Sequence, residues 1–172
     1  MNAYQIVKTS FGPAAVAFCD PPFRLLEVRL PTLSLDDLCQ PFDHRGWQID
    51  HQHPDAAAVA NMLVRYFDGE QVDIPWPVMD FSCFTAAQQA VYRAVATIPY
   101  GSTASYKQVA RMAGLPRAAR FVGTTMAKNP YPVFIPCHRV IKSDGSLGGF
   151  GGAVQAIDLK RRMLALENQA GE

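Results

Sequence analysis

Nothing in this chain reaches the roughly 20 consecutive apolar residues that a membrane-crossing helix needs, and Met1 to Ser10 carry no hydrophobic leader core. These absences argue against membrane association and make a cytoplasmic protein the expectation. Cysteine is sparse. Cys19, Cys39, Cys83 and Cys137 are scattered too widely for a zinc ribbon or a dense secreted disulfide framework, so reduced thiols are expected. There is no internal repeat. Acidic residues become scarce after Asp80: residues 81 to 172 carry four Asp plus Glu against eleven Lys plus Arg, whereas residues 1 to 80 carry eleven against five. The overall charge of +1 therefore hides a −6 half and a +7 half. A cationic half suits a polyanion such as nucleic acid. Two solvated surfaces that attract each other would fit the same numbers.

What the chain does have is core material: 49% of its 172 residues are hydrophobic and ten are Phe, enough for one or two small folded domains. The pattern divides at the same point as the charge. Tyr4 to Thr9, Ala14 to Cys19 and Leu25 to Leu30 read as strands separated by Phe11-Gly12-Pro13 and Asp20-Pro21-Pro22 turns. Pro54 opens a helix in which Val59, Met62, Leu63, Tyr66 and Phe67 share a face, ending at Asp68-Gly69. Val72 to Asp80, with Pro75 and Pro77 around Trp76, reads as an extended connector. Residues 1–80 are thus expected to form an α/β domain with its connector, and residues 81–172 a mostly α domain.

Helical signals dominate the second half. Thr85 caps a helix to about Thr97, closed by Pro99-Tyr100-Gly101. Ser105 caps Tyr106 to Ala113, with Tyr106, Val109, Ala110 and Ala113 on one face and Gly114 as a stop. From Arg117 the chain is expected to be helical to about Lys128, with Phe121, Val122 and Met126 turned inward and Arg117, Arg120, Thr124 and Lys128 outward. Ala118 and Ala119 would let such a helix approach a groove closely. Two helices joined by Gly114-Leu115-Pro116 make a helix-turn-helix candidate, and equally an ordinary packed pair. Further on, Ile135-Pro136-Cys137-His138-Arg139-Val140 sets a thiol beside an imidazole. A neighbouring base is the usual means of generating the nucleophilic thiolate at neutral pH, because a free thiol with a pKa of ~8.5 is mostly protonated. Adjacent side chains in an extended strand face opposite ways, so a direct contact requires a turn, which Pro136 can impose.

In order and spacing, Pro99-Tyr100-Gly101, Ser105-Tyr106, Ala118-Ala119-Arg120, Val122-Gly123, Asn129-Pro130, Ile135-Pro136-Cys137-His138-Arg139-Val140-Ile141 and Gly148-Gly149-Phe150-Gly151-Gly152 resemble the O6-alkylguanine-DNA alkyltransferases. The final helix ending Leu164-Ala165-Leu166-Glu167 continues the resemblance. It implies a ribonuclease-H-like domain over residues 1–80, and a DNA-binding and alkyl-transfer domain over 81–172 with a winged-helix-like helix-turn-helix. It also implies direct-reversal repair of double-stranded DNA. One alkyl group would pass from O6-alkylguanine, and from O4-alkylthymine, in a flipped-out base to Cys137, without turnover or cofactor. By the same resemblance His138 is the base acting through a water, Glu167 orients it, Tyr106 donates to the departing guanine and Asn129 ties the recognition helix to the active-site turn. Arg120 fills the vacated stack, with Arg117, Ala118, Ala119, Thr124, Lys128 and Ser105 on the DNA minor groove. Pro136, Val140, Phe150 and Gly151 line the pocket. A monomer is implied, associated with nucleoid or nucleus through DNA.

Departures from the family pattern concern shape more than chemistry. Phe150 stands where some relatives have tyrosine, Gly151 where many have serine or alanine, and Ala87 and Tyr92 replace a phenylalanine and a tryptophan. Some relatives hold a structural zinc in the first domain. Cys19 lies at one candidate position, but Arg24 stands where a histidine is needed, so no metal is expected, and His51 and His53 are read as a surface loop. The main rival is a non-catalytic sensor of alkylated DNA; those relatives characteristically replace the acceptor cysteine and lack the first domain. A thiol hydrolase using Cys137, His138 and Glu167 would need an oxyanion hole. A transcription factor would need sequence-specific base readout.

Overall fold

Residues 1–149 and 154–169 are described by the computed structural model. The chain forms two units, one of Met1–Asp80 with Pro130–Pro132, the other of Phe81–Asn129 with the chain from Val133 onward. The architecture is mixed α/β. No helix among the described residues is long and apolar enough to cross a membrane.

In the first unit the turn-bounded apolar runs become β1 (Asn2–Thr9), β2 (Gly12–Cys19) and β3 (Arg24–Arg29). They pair antiparallel in the order β3-β2-β1, and β4 (Gln48–Ile49) adds parallel to β1 on the far edge. Central β2 is buried continuously from Ala14 to Phe18 because a helix covers each face. Helix α1 (Leu35–Asp43) sets Leu38 and Phe42 against Tyr4, Ala15 and Ala17. Helix α2 (Pro54–Phe67) packs against β1 and β2. Its N-cap His53 rests against Phe18, whose side chain alternates to the other face.

Three elements and one residue of this unit depart from expectation. The sequence pattern left residues 31–50 unassigned, yet α1 forms there, capped by Ser34 and running through Pro41. Proline removes a backbone donor, and burial of Leu38 and Phe42 on either side compensates for the lost bond. Strand β4 is too short for any alternation to register. His53 is not simply a loop residue: its imidazole accepts from the Ala56 N–H, lies 3.6 Å from Asp20 and stacks on Phe23. The connector also contains a 3-10 turn, Trp76–Val78, before Met79 bridges to Leu25. Cys19 pairs with Arg24 across the β2–β3 ladder, and all four cysteines are free.

The second unit begins with α3 (Ala86–Ala96) and β5 (Ala104–Ser105), then α4 (Tyr106–Met112) and α5 (Ala119–Ala127). Capping boxes start α3 and α4, Thr85 with Gln88 and Ser105 with Gln108, as their Ser/Thr-x-x-Gln spacing requires. The helix expected from Arg117 starts two residues later. Pro116 and Arg117 lie in a turn closed by the Ala118 N–H on the Leu115 carbonyl, and Ala118 has no side chain to cap the helix. After α5 come a 3-10 turn (Cys137–Arg139), β6 (Val140–Ile141), parallel to β5, and α6 (Val154–Gln169).

Tyr131 secures the excursion of residues 130–132 into the first unit. Its buried hydroxyl donates to the Asp80 carbonyl (2.6 Å), accepts from the Asp80 N–H (3.0 Å) and lies 3.1 Å from the Leu25 carbonyl, while Pro130 accepts from the Val28 N–H at 2.7 Å. Tyr131→Phe deletes that hydroxyl from a buried site and should cost roughly 1–3 kcal/mol. The urea midpoint checks it; a value equal to wild type would mean that the hydroxyl contributes nothing.

Candidate active site

The Cys137 loop is built by backbone geometry before any side chain acts. Pro136 sits at φ −77°, ψ 66°, an inverse γ-turn in which the Cys137 N–H reaches the Ile135 carbonyl at 2.7 Å. The Arg139 N–H then closes on the Pro136 carbonyl at 2.9 Å. Pro136 therefore imposes the turn that an extended strand lacks, and Cys137 and His138 both enter a 3-10 helix. Just upstream, buried Val133 holds φ +77°, a strained conformation for a β-branched residue. Asn129 fastens the end of α5 to this loop by donating from Nδ2 to the Ile135 carbonyl at 2.9 Å.

Behind the cysteine lies a buried ionic cluster. His138 Nε2 is 2.6 Å from Glu167 Oε1. Arg139 grips the same carboxylate with two nitrogens, Nε to Oε2 at 2.9 Å and Nη2 to Oε1 at 3.0 Å. Its remaining nitrogen, Nη1, donates to the Ile98 carbonyl at 2.7 Å, and the guanidinium lies over the Tyr100 ring. Gly101 contributes its N–H to Oε2 at 3.1 Å. It does so at φ +74°, and a Cβ there would lie 3.4 Å from the Glu167 carbonyl oxygen, so the Tyr100-Gly101 turn favours a residue without a side chain. Finally, Lys160 Nζ donates to the Val140 carbonyl at 2.6 Å.

Burial and partners set the protonation states. Burial pushes the Glu167 carboxyl up, but hydrogen bonds from His138 and Arg139, with their charges, outweigh it and hold the group at about 2. An ionised Glu167 can only accept, so His138 donates from Nε2 and Nδ1 is its basic nitrogen. Burial lowers the His138 pKa, and Arg139 and Lys160 lower it further, against the opposing pull of Glu167. Burial raises the Cys137 thiol, opposed by Asn129, by Lys160 and by the backbone N–H groups of residues 137 and 138. The resting pair is a neutral thiol beside a neutral imidazole. Tyr106 is also raised, first by burial and then by Cys137, so its phenol remains a proton donor.

Tyr106 is held in a narrow slot. A Cβ on Gly148, which has φ +72°, would come within 3.0 Å of the Tyr106 hydroxyl and 3.2 Å of its ring, while Gly123 faces the ring from α5. Cys137, His138, Glu167, Asn129, Tyr106, Pro136 and Val140 all belong to this part of the second unit, and the remaining expected residues lie on its surface or outside the described range. Arg117, Arg120, Thr124 and Lys128 are exposed, and Ala118 and Ala119 are half-buried beside them. Ser105 spends its hydroxyl on the Gln108 N–H as the α4 cap. Phe150 and Gly151 lie outside the described residues. Sequence reasoning missed Arg139, Lys160 and Gly101. A signal existed: Lys160, Met163 and Glu167 fall at helical spacing on one stripe of α6, and all three are buried. Among the described residues, no group of three or more His, Cys, Asp or Glu side chains could hold a metal ion.

The second unit thus sets a buried, turn-mounted cysteine against a buried ionic cluster and also presents the α4–α5 helix pair, whose second helix carries the exposed Arg120. Residues 86–169 match the family described as 6-O-methylguanine DNA methyltransferase, DNA binding domain. The chain is 36% identical to the methylated-DNA–protein-cysteine methyltransferase of Mycolicibacterium paratuberculosis, over 98% of this chain and 94% of that protein. It is 45% identical to the one from Methanothermobacter thermautotrophicus over 59% of this chain and 55% of that protein. The crystal structure of Mycobacterium tuberculosis O6-methylguanine methyltransferase superposes with a TM-score of 0.77 at 34% identity, covering 99% of this chain and 94% of that one. The M. tuberculosis protein in complex with DNA gives 0.75 at 33% identity, over 98% and 94%. The chain belongs to the methylated-DNA–protein-cysteine methyltransferase family.

Two outcomes follow from the cluster. Since the folded His138 pKa is below its ordinary value and that of Glu167 is near 2, the unfolded chain binds more protons in acid. Stability should therefore be greatest above about pH 6.5, fall as His138 is forced to charge, and fall again between about pH 4.5 and 2 as Glu167 protonates. Glu167→Gln should lower stability by roughly 3–5 kcal/mol near neutrality and flatten the lower limb, as read by urea unfolding across pH. Gly148→Ala should add ~1–2 kcal/mol of backbone strain and displace the Tyr106 ring, seen as a changed Tyr106 ring resonance by NMR.

Proposed function

We propose that this protein repairs alkylated DNA by direct reversal, moving one alkyl group from O6-alkylguanine, and from O4-alkylthymine, in a flipped-out base onto Cys137. The observation that carries the reading is the buried Cys137 turn backed by His138 and Glu167, in a chain of this family. The thiol proton passes to His138 Nδ1 through a water, and Glu167 stabilises the imidazolium. The thiolate forms a C–S bond to the alkyl carbon as the C–O6 bond breaks, and its electron pair goes to guanine. Tyr106 donates a hydrogen bond to the departing base, whose proton account closes when guanine regains N1–H. The sum is thiol plus O6-alkylguanine giving thioether plus guanine, which consumes the protein stoichiometrically.

A base within a duplex is out of reach of a buried thiol, so it is rotated out at an unstacking cost on the order of a few kcal/mol. Arg120 fills the gap, while Arg117, Ala118, Ala119, Thr124, Lys128 and Ser105 meet the minor groove with little sequence preference. The exposure of Arg120 and the absence of large side chains at Ala118 and Ala119 support this assignment. Pro136, Val140, Phe150 and Gly151 would line the alkyl pocket. Residues 81–172 would be the DNA-binding and transfer domain, a reading that the α4–α5 pair and the short β5–β6 sheet support as winged-helix-like. Three antiparallel strands, a helix and a parallel fourth strand support a ribonuclease-H-like reading of residues 1–80. The protein would act as a monomer, in the cytoplasm or on chromosomal DNA.

Incubation with a duplex carrying one O6-methylguanine should add a single methyl mass, mapped to Cys137, and restore guanine. Tight binding of the lesion with no mass change would replace this reading with a non-catalytic damage sensor. Arg120→Ala should slow repair in duplex DNA on the order of tenfold or more while leaving reaction with free O6-benzylguanine near wild type. Equal losses on both substrates would remove Arg120 from base flipping.

A further inference from the structure

Alkyl transfer engages Cys137, His138 and Glu167, yet His138 is not alone on the Glu167 carboxylate. Arg139 Nη2 lies 3.0 Å from Oε1, the same oxygen that His138 Nε2 meets at 2.6 Å, and Arg139 Nε lies 2.9 Å from Oε2. The guanidinium is itself fixed in place, since Nη1 donates to the Ile98 carbonyl at 2.7 Å and the group lies over the Tyr100 ring. His138, Arg139 and Glu167 are all buried. Arg139 is thus a rigid and permanently charged partner seated on the carboxylate that backs the base.

That seating changes the charge the base carries. A buried carboxylate facing an imidazole draws a proton onto it, because an ion pair is less costly to bury than an uncompensated anion. Glu167 already has a countercharge in Arg139. A proton on His138 would give the three side chains a net positive charge and would occupy Nδ1, the nitrogen that receives the thiol proton. We propose that Arg139 is a positioning residue for the alkyl transfer: by neutralising Glu167 it lets that carboxylate orient His138 without charging it, so that Nδ1 stays unprotonated at rest and can take the proton of Cys137. The inference rests on the reading that Cys137 is the alkyl acceptor and His138 its base.

The electrostatics agree in direction. Burial pushes the His138 pKa down, and Arg139 and Lys160 add to that push against the hydrogen bond and charge of Glu167. Burial alone would raise the Glu167 carboxyl, but His138 and Arg139 together hold it at about 2, so it stays an ionised acceptor for both donors throughout the range in which an imidazole titrates. The other titratable groups of the cluster are Cys137 on the same turn, Lys160 on α6 and Tyr100 beside Arg139. Burial raises both the thiol and the phenol, which keeps each of them neutral at rest.

The test uses the full chain with nitrogen-15-labelled histidine, whose ring resonances report protonation and tautomer directly. In the wild type the His138 ring should stay neutral, with its proton on Nε2, to below the ordinary midpoint of about pH 6.5. Arg139→Gln, which keeps a hydrogen-bonding side chain but removes the charge, should raise the His138 midpoint by about one unit or more. The acid limb of the rate of reaction with free O6-benzylguanine should move up with it, slowing reaction on that side on the order of tenfold while the plateau above it changes less. Arg139→Lys, which restores the charge without the fork, should bring both the midpoint and the limb most of the way back. A uniform loss of rate with an unmoved His138 midpoint would overturn the proposal in favour of packing alone. Should Arg139→Gln fail to fold, the wild type decides: a neutral ring protonated on Nε2 at about pH 6 supports the proposal, and an imidazolium at about pH 7 overturns it. The titration needs no alkyl donor, so a failure of the repair reading would appear separately, as absence of methyl transfer from O6-methylguanine to the wild-type protein.

Discussion

One buried carboxylate organises the second unit. Glu167 receives His138, two nitrogens of Arg139 and the Gly101 N–H, which together occupy about the four lone-pair sites that a carboxylate offers. Those donors come from the Cys137 turn and from the residues following α3, so one side chain on α6 joins three separate parts of the chain. A carboxylate buried so completely is tolerable only when every oxygen is satisfied. Because it is, the imidazole is fixed in orientation and tautomer without needing to be charged at rest.

Burial pushes the thiol up and the imidazole down, so both favour their neutral forms. Groups that oppose the upward push of burial surround the sulfur: the Asn129 amide, Lys160 and two backbone N–H groups from the 3-10 turn. The strained backbone at Val133 and the γ-turn at Pro136 belong to the same economy, in which local distortion aims the cysteine and packing of the surrounding loop sustains it.

Legibility followed a physical rule. Elements announced by local chemistry were readable: β1 to β3 between proline-rich turns, α2 after Pro54, α3 and α4 behind their capping boxes. Elements sustained by tertiary contact were not, as in α1, which runs through Pro41 because Leu38 and Phe42 are buried, and β4, which is only two residues long. The start of α5 was misjudged because Arg117 belongs to the Pro116 turn. Within the site, Cys137 and His138 drew attention by their own adjacency, whereas Glu167 was reached only through family resemblance; the structure brings Glu167 to His138. Arg139 and Lys160 were passed over because charged residues are normally solvated; only the α6 stripe that Lys160 shares with Met163 and Glu167 could have marked it as internal.

The spacing of that stripe constrains the length of the chain as well as its composition. Lys160 and Glu167 are seven residues apart, which on a helix of about 3.6 residues per turn is within ~20° of two full turns. One residue inserted or deleted between them would swing Glu167 by about 100° away from His138 and Arg139 while leaving Lys160 on Val140. Substitutions at the exposed Arg161 and Arg162 would disturb neither. In this interval the protein should accept changes of letter far more readily than changes of count.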